Sequence, residues 1–208
     1  MRRTKEDAEA TRNDVLRAAL QVFSEKGYAA ATLEDIADRA GVTRGAIYWH
    51  FDNKADLYNQ SLEEFSKLSS QIVARAIEAG GSLPAILKRI FVDLLHAVEH
   101  NRELRAALEL ELFNTGRIPE LVEGRQKQLA AGEQLLAGMA QAMEQGIAAG
   151  SLREDIRPLT LARSFLAFQN GVIQLWLLEP GSFSLASEAE AMAEIYLNGI
   201  IIVGKEVG

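Results

Sequence analysis

The chain of 208 residues contains no cysteine. Disulfides, thiolate metal sites and a cysteine nucleophile are therefore excluded, and the composition fits a reducing cytoplasm. Proline is scarce, at four residues. All four (Pro84, Pro119, Pro158 and Pro180) stand where a helical pattern starts or stops. The longest aliphatic run, Ile200 to Val203, is far too short to span a bilayer, so no membrane partner is expected. The opening M-R-R-T-K-E-D-A-E has no apolar segment, and no secretory leader is expected. Internal repeats, low-complexity tracts, a phosphate-binding glycine loop, a G-x-S-x-G elbow and a convincing carboxylate pair are all missing. The chain is expected to be no enzyme and to need no cofactor. His96 and His100 are spaced i,i+4, but the sequence places no third ligand beside them, so no metal site is expected.

What is present is concentrated in Thr32 to Phe51, T-L-E-D-I-A-D-R-A-G-V-T-R-G-A-I-Y-W-H-F. Thr32 can cap a first short helix, with Asp35 three residues on completing a capping-box-like pair. Ile36 points to the core, and Ala37 is small where two helices come closest. Gly41 is free to adopt the left-handed conformation that ends the helix and turns the chain. Thr43 can cap a second helix, whose Ile47 buries with Val42 against Ile36. That second helix shows Arg44, Tyr48, Trp49 and His50, while Gly45 and Ala46 keep its surface low. This is a helix-turn-helix, whose second helix enters the major groove of double-stranded DNA. An arginine at the helix start can bond both acceptors of a guanine, and the Thr43 cap with the free N–H groups behind it suits a phosphate.

The flanks agree. Val15, Leu16, Ala19, Leu20 and Phe23 recur with helical period up to Lys26-Gly27, a basic last turn and a C-cap glycine. Asn53 is placed to cap a long helix opening at Lys54, whose ammonium could pin the DNA backbone. The DNA-binding set is thus Thr32, Thr43, Arg44, Gly45, Tyr48, Trp49, His50 and Lys54. A broad basic field is absent, since the net charge is −7. Residues 1–54 carry nine Lys+Arg and nine Asp+Glu; residues 55–208 carry thirteen basic and twenty acidic residues. Binding must rest on local placement of Arg2, Arg3, Lys5, Arg12, Arg44 and Lys54, with appreciable salt sensitivity. Asp52 stands beside Lys54, where a basic residue would have helped more.

The rest of the chain predicts helices throughout: 55–79, 83–100, 102–113, 119–149, 158–178 and 185–203. The fold class is all-α, about nine helices. A three-helix DNA-binding domain (1–54) precedes a six-helix effector-binding and dimerisation domain (55–208). The last two helices are apolar on more than one face, with Leu161, Phe165, Phe168, Val172 and Leu175 on one stripe and Ala162, Leu166, Ile173 and Leu177 on another. A ligand cavity is expected to draw on Leu62, Phe65, Ser69, Phe91 and Leu94. Glu109, Phe113, Phe165, Phe168, Gln169 and Val172 complete it. Plain core packing is the competing account for each of these. Apolar walls with a few polar groups suit a hydrophobic effector, and a partly buried Glu109 or Glu111 would favour a cationic one. Gly124, Gly132, Gly138 and Gly146 interrupt the seventh helix and are expected to let it bend.

Residues from about Thr11 to Leu57 resemble the DNA-binding domain of the TetR family of bacterial regulators, most closely in T-R-G-A-I-Y-W-H-F and K-A-D-L-Y. T-K-E-D-A-E-A-T-R (Thr4 to Arg12) and G-V-I-Q-L-W-L (Gly171 to Leu177) resemble its AcrR-like subgroup, repressors of multidrug efflux pumps. The resemblance implies a cytoplasmic homodimer closed through the last two helices, with Gly171 and Gly199 at the crossing, and an inverted-repeat operator released by an effector. An activator, or a regulator of metabolism or lipid genes answering another ligand, shares these features. A helical lipid or small-molecule carrier is the reading outside this class; its cargo would survive Arg44→Ala.

Overall fold

A computed structural model describes residues 5–113 and 118–201. Arg2, Arg3, the expected break at Thr115-Gly116 and the run beyond Ile201 lie outside them. The described residues form nine α-helices: α1 Lys5–Ala30, α2 Leu33–Ala40, α3 Arg44–His50, α4 Lys54–Glu78, α5 Leu83–His100, α6 Arg102–Phe113, α7 Val122–Ala148, α8 Pro158–Leu178 and α9 Leu185–Asn198. None of them is long and apolar enough to cross a membrane.

Local chemistry sets the boundaries. Gly27, at φ 73° and ψ 161°, interrupts α1, and one further turn follows it to Ala30. Thr32 caps α2 through a complete capping box with Asp35. Gly41 ends α2 at φ 66°, in the left-handed region where a side chain costs about 1–2 kcal/mol. Thr43 accepts from the Ala46 amide to cap α3, and the Asn53 side chain accepts from Asp56 to cap α4. Two expectations change. The segment opened by Pro119 begins as a single 3-10 turn, Pro119–Leu121, before α7. The last helix stops at Asn198 rather than running on to 203: Ile200 and Ile201 turn back on Leu197, and Ile201 forms an isolated bridge with Leu152.

Two compact units divide the described chain by packing. One takes residues up to Leu68 and Asn101–Gly124; the other takes Ser69–His100 and the residues from Arg125. The boundary expected from the sequence lies at 54/55, whereas packing cuts the chain inside α4. The first unit is built on one core. Leu16, Leu20 and Phe23 of α1 meet Ile36 of α2, Ile47 of α3, and Leu57, Leu62 and Phe65 of α4. Ala107 and Leu110 of α6 join the same core. Phe23, Tyr28 and Tyr58 close into a ring cluster, with centroids 5.0 to 5.8 Å apart.

In the second unit α5 packs along α9, and α8 touches both. Phe91, Phe165, Phe168 and Tyr196 form a chain of ring contacts at 5.5 to 6.3 Å. The Tyr196 hydroxyl donates to the Leu161 carbonyl at 3.0 Å, satisfying its half-buried polar end. The Glu99 carboxylate accepts from the Ala186 amide at 2.6 Å and from the Ser184 hydroxyl at 3.1 Å, capping α9 from α5. The Ala186 amide, against the opposing cost of burial and with help from the Ser184 hydroxyl, holds the Glu99 carboxyl below the usual carboxylate range.

α7 runs unbroken past its glycines, which play different parts. A methyl group at Gly146 would stand 2.5 Å from Leu83 Cδ2 and 3.0 Å from Leu152 Cδ1, whereas one at Gly138 would meet nothing. Gly146→Ala should therefore cost about 1–3 kcal/mol through overpacking, and Gly138→Ala should add up to about 1 kcal/mol through helix propensity. Urea denaturation of the two variants should show these opposite signs.

Candidate functional site

Exposure singles out the outer face of α3. Ile47 is the one residue of that helix wholly buried, and it anchors α3 to the core. Opposite it, Tyr48 is 49% and Trp49 74% exposed, so two large rings stand in water without an apolar partner face. Trp49 meets His50 edge-on at 4.7 Å. The Arg44 guanidinium donates to the Tyr48 hydroxyl at 3.0 Å and lies 5.5 Å from the centre of its ring. One turn of α3 thus presents a fixed cation beside a phenol. Gly45 is exposed, and a side chain beginning there would meet Thr43 Oγ1 at 3.8 Å.

The remaining basic residues of this unit are largely engaged inside it. The Lys54 ammonium donates to the Ala31 carbonyl at 2.8 Å and sits 4.4 Å from the Tyr28 ring. It ties the start of α4 to the end of α1. Arg12 bonds Gln60 at 2.6 Å and covers the Phe51 ring at 5.6 Å. Lys26 pairs with Asp35, and Arg39 with Glu25. Thr32 is occupied by its cap: its hydroxyl donates to Asp35 and accepts from the Asp35 amide. The Asp35 carboxyl, ordinarily at 3.8, is pushed down to about 2, first by Lys26 and then by the hydroxyl and amide of Thr32.

The structure scatters the residues expected around a ligand. Leu62 and Phe65 belong to the core beneath the helix-turn-helix. Glu109 accepts from the Ser24 hydroxyl of α1 at 3.1 Å. Glu111, two residues on, lies about 200° around the helix. Burial first, then the charges of Glu111 and Tyr28, push the Tyr58 hydroxyl up to about 12. Phe113 is exposed at the end of α6. Phe91, Phe165 and Phe168 interlock in the second unit's core; Leu94, Val172 and Ser69 are half-buried. Gln169 is buried there with no partner for its amide nitrogen among the described residues.

An apolar cavity of about 800 Å³ opens elsewhere in the second unit, between α4, α5 and α7. Val73 and Ile77 come from α4, and Leu83, Ile86, Leu87 and Ile90 from α5. Leu135, Gly138, Met139, Ala142 and Gly146 supply the α7 wall. None of the eleven residues expected to bind a ligand lines it. Its volume is that of a drug-sized site. The sequence did hold a signal for it: Leu135, Met139 and Ala142 recur at helical spacing, with Gly138 between them and Gly146 one turn on.

This is the build of a helix-turn-helix transcriptional regulator, an exposed reading helix on a helical scaffold. The chain belongs to the TetR family. Residues 15–60 match the bacterial regulatory proteins of the tetR family, and residues 84–201 match the C-terminal region of the MAATS-type transcriptional repressors. The HTH-type transcriptional regulator TtgR of Pseudomonas putida is 30% identical over 95% of both chains. AcrR of Shigella flexneri is 30% identical over 94% of this chain and 92% of its own. The crystal structure of NalD, the secondary repressor of the MexAB-OprM multidrug efflux pump in Pseudomonas aeruginosa, superposes with a TM-score of 0.81. It is 29% identical and covers 96% of this chain and 100% of its own. The expected family and AcrR-like subgroup are both met.

Arg44→Ala should lose about 1–3 kcal/mol of discrimination between operator and random DNA. Equal losses on both, in a fluorescence-anisotropy titration at fixed salt, would show a phosphate contact instead. Asp35 has a depressed folded pKa, so its contribution to stability is present above about pH 4 and is lost as pH falls toward 2. The stability difference between wild type and Asp35→Asn should shrink across that window in acid denaturation.

Proposed function

We propose that two copies of this chain, joined through α8 and α9, bind an inverted-repeat operator with one α3 in each major groove. Bound there in the cytoplasm, the dimer blocks transcription of a multidrug efflux system until a hydrophobic molecule enters the helical domain. The exposed Arg44–Tyr48–Trp49 face is the observation that carries this reading. Seven residues of helix span only about 10 Å, or about three base pairs, too little sequence to specify a site. Two-fold symmetry doubles it.

An apolar stripe supports the choice of α8 and α9. Leu175 and Leu178 on α8 are 61% and 68% exposed, and Ile195 on α9 is 70% exposed. Gly171 shares the exposed side of α8, and a methyl group added there would meet nothing within its own chain. Close packing at Gly171 therefore needs a second subunit. Efflux control is supported by likeness to AcrR and to NalD, whose own role is repression of a pump.

Release follows from α4. Its first residue, Lys54, is bonded to the Ala31 carbonyl at the foot of the helix-turn-helix, and its late turns place Val73 and Ile77 in the cavity wall. A ligand that favours one placement of this helix alters the other end of the same rod. Coupling of about 1–3 kcal/mol would weaken operator binding five- to 150-fold.

The double variant Leu175→Asp, Ile195→Asp should sediment as a monomer and lose at least tenfold in operator affinity. A dimer that persists would place the interface on other helices. Deletion of the gene should raise transcription of the pump operon; a fall in that transcript would instead make the protein an activator.

A further inference from the structure

The α4–α5–α7 cavity differs from a general drug pocket in what its walls lack. Its side walls are aliphatic, from residues such as Ile77, Ile86, Leu87, Leu135 and Met139. The polar residues on its lining, Ser82, Gln134, Gln145 and Ser151, are all uncharged. The Ser151 hydroxyl already donates to the Gly146 carbonyl at 2.9 Å. Among the described residues, no carboxylate, ammonium, guanidinium or aromatic ring lines the space.

Those absences decide what can bind. A cation entering this space would shed water and find neither a counter-charge nor the face of an aromatic ring. The carboxylates that favoured a cationic effector in the sequence do not line it. Glu109 is bonded to Ser24, and Glu111 belongs to the same first unit. A cationic group close to the lining works against a cation. The Arg89 guanidinium comes within 3.8 Å of where a Gly81 side chain would begin. Its Nη2 donates to the Ala76 and Gly80 carbonyls at the end of α4, its buried Nε has no hydrogen-bond partner among the described residues, and Arg89 itself is not part of the lining, so an anion in the cavity would meet no cation on its walls. An uncharged ligand meets neither penalty, and the branched aliphatic walls match an alkyl or alicyclic body better than a flat ring that stacks.

We infer that this cavity is the effector site and that it selects uncharged, predominantly aliphatic molecules against cations and anions of the same shape. The inference rests on the proposed effector-responsive repressor and narrows the class of its ligand. Gly138 is the lever for testing it. It lines the cavity, and the space where its side chain would begin is empty. The first side-chain carbon of a leucine there displaces no neighbour, and the rest of the side chain takes up ligand volume.

The test uses three probes with one alkyl body: 1-decanol, decyltrimethylammonium and decanoate, each below its micellar concentration. Binding to the full-length protein is read by displacement of a neutral fluorescent dye and by thermal shift. Operator release is read separately by anisotropy. Decanol should bind at least tenfold more tightly than either ion, and Gly138→Leu should abolish its binding while operator affinity in the absence of probe stays unchanged. Equal or tighter binding of decyltrimethylammonium or decanoate would overturn the inference, as would decanol binding that Gly138→Leu leaves intact. Decanol binding that is lost in Gly138→Leu but never releases the operator would uphold the site and its selectivity while removing the effector-release part of the proposed function. Operator release by decyltrimethylammonium, insensitive to Gly138→Leu, would do the reverse.

Discussion

Everything at the DNA-facing end depends on a shared core, because its two recognition elements are too short to stand alone. Isolated helices below about 12–15 residues are marginal in water, and α2 and α3 have eight and seven. Both are held by burial of a few side chains: Ile36 and Ala37 for α2, Ile47 for α3. The pocket that receives them is completed by α1, by α4 and by Ala107 and Leu110 of α6. The core beneath α2 and α3 thus reaches beyond the first fifty-four residues. It needs a helix that arrives only after residue 101. Whatever moves α6 or the start of α4 acts on the floor beneath the reading helix.

The charge economy of the head follows from the same compactness. With as many acidic as basic residues in its first 54 positions, it folds most of its cations into internal contacts. Arg12 braces Phe51 and Gln60, Arg39 pairs with Glu25, and Lys54 closes the α1–α4 junction. Such contacts hold helices in place and give up little long-range field. Arg44 is different, since its partner Tyr48 lies on the same exposed helix face.

The head was legible in the sequence because each of its devices is local. A cap at Thr32, a left-handed glycine at 41 and an asparagine cap at 53 each need only neighbours within four residues, and the structure shows all three. The helices of the second domain were legible for the same reason, down to the ends of α5, α6 and α8. The end of α9 was not, because Leu185 to Val203 stays apolar past Asn198; what stops the helix is a long-range bridge from Ile201 to Leu152. The cavity was the least legible part. Aromatic residues at helical spacing look alike whether they line a space or fill one, and Phe91, Phe165 and Phe168 fill one against Tyr196. The open space lies instead beside α7, where the sequence offered small residues and gaps. Its glycines suggested bending, and Gly138 and Gly146 are better understood as absent wall material.

That last feature bears on how such a protein diversifies. In most binding pockets the residues that shape the ligand space also support the fold, so a change of specificity carries a risk of misfolding. Along α7 the two roles separate: Gly146 sits against Leu83 and Leu152, whereas Gly138 faces empty space. Substitution at the second site subtracts volume from the cavity in steps as small as one methyl group and gains helix propensity as it does so. A lineage carrying this helix can resize the cavity one residue at a time while the core under α2 and α3 stays as it was.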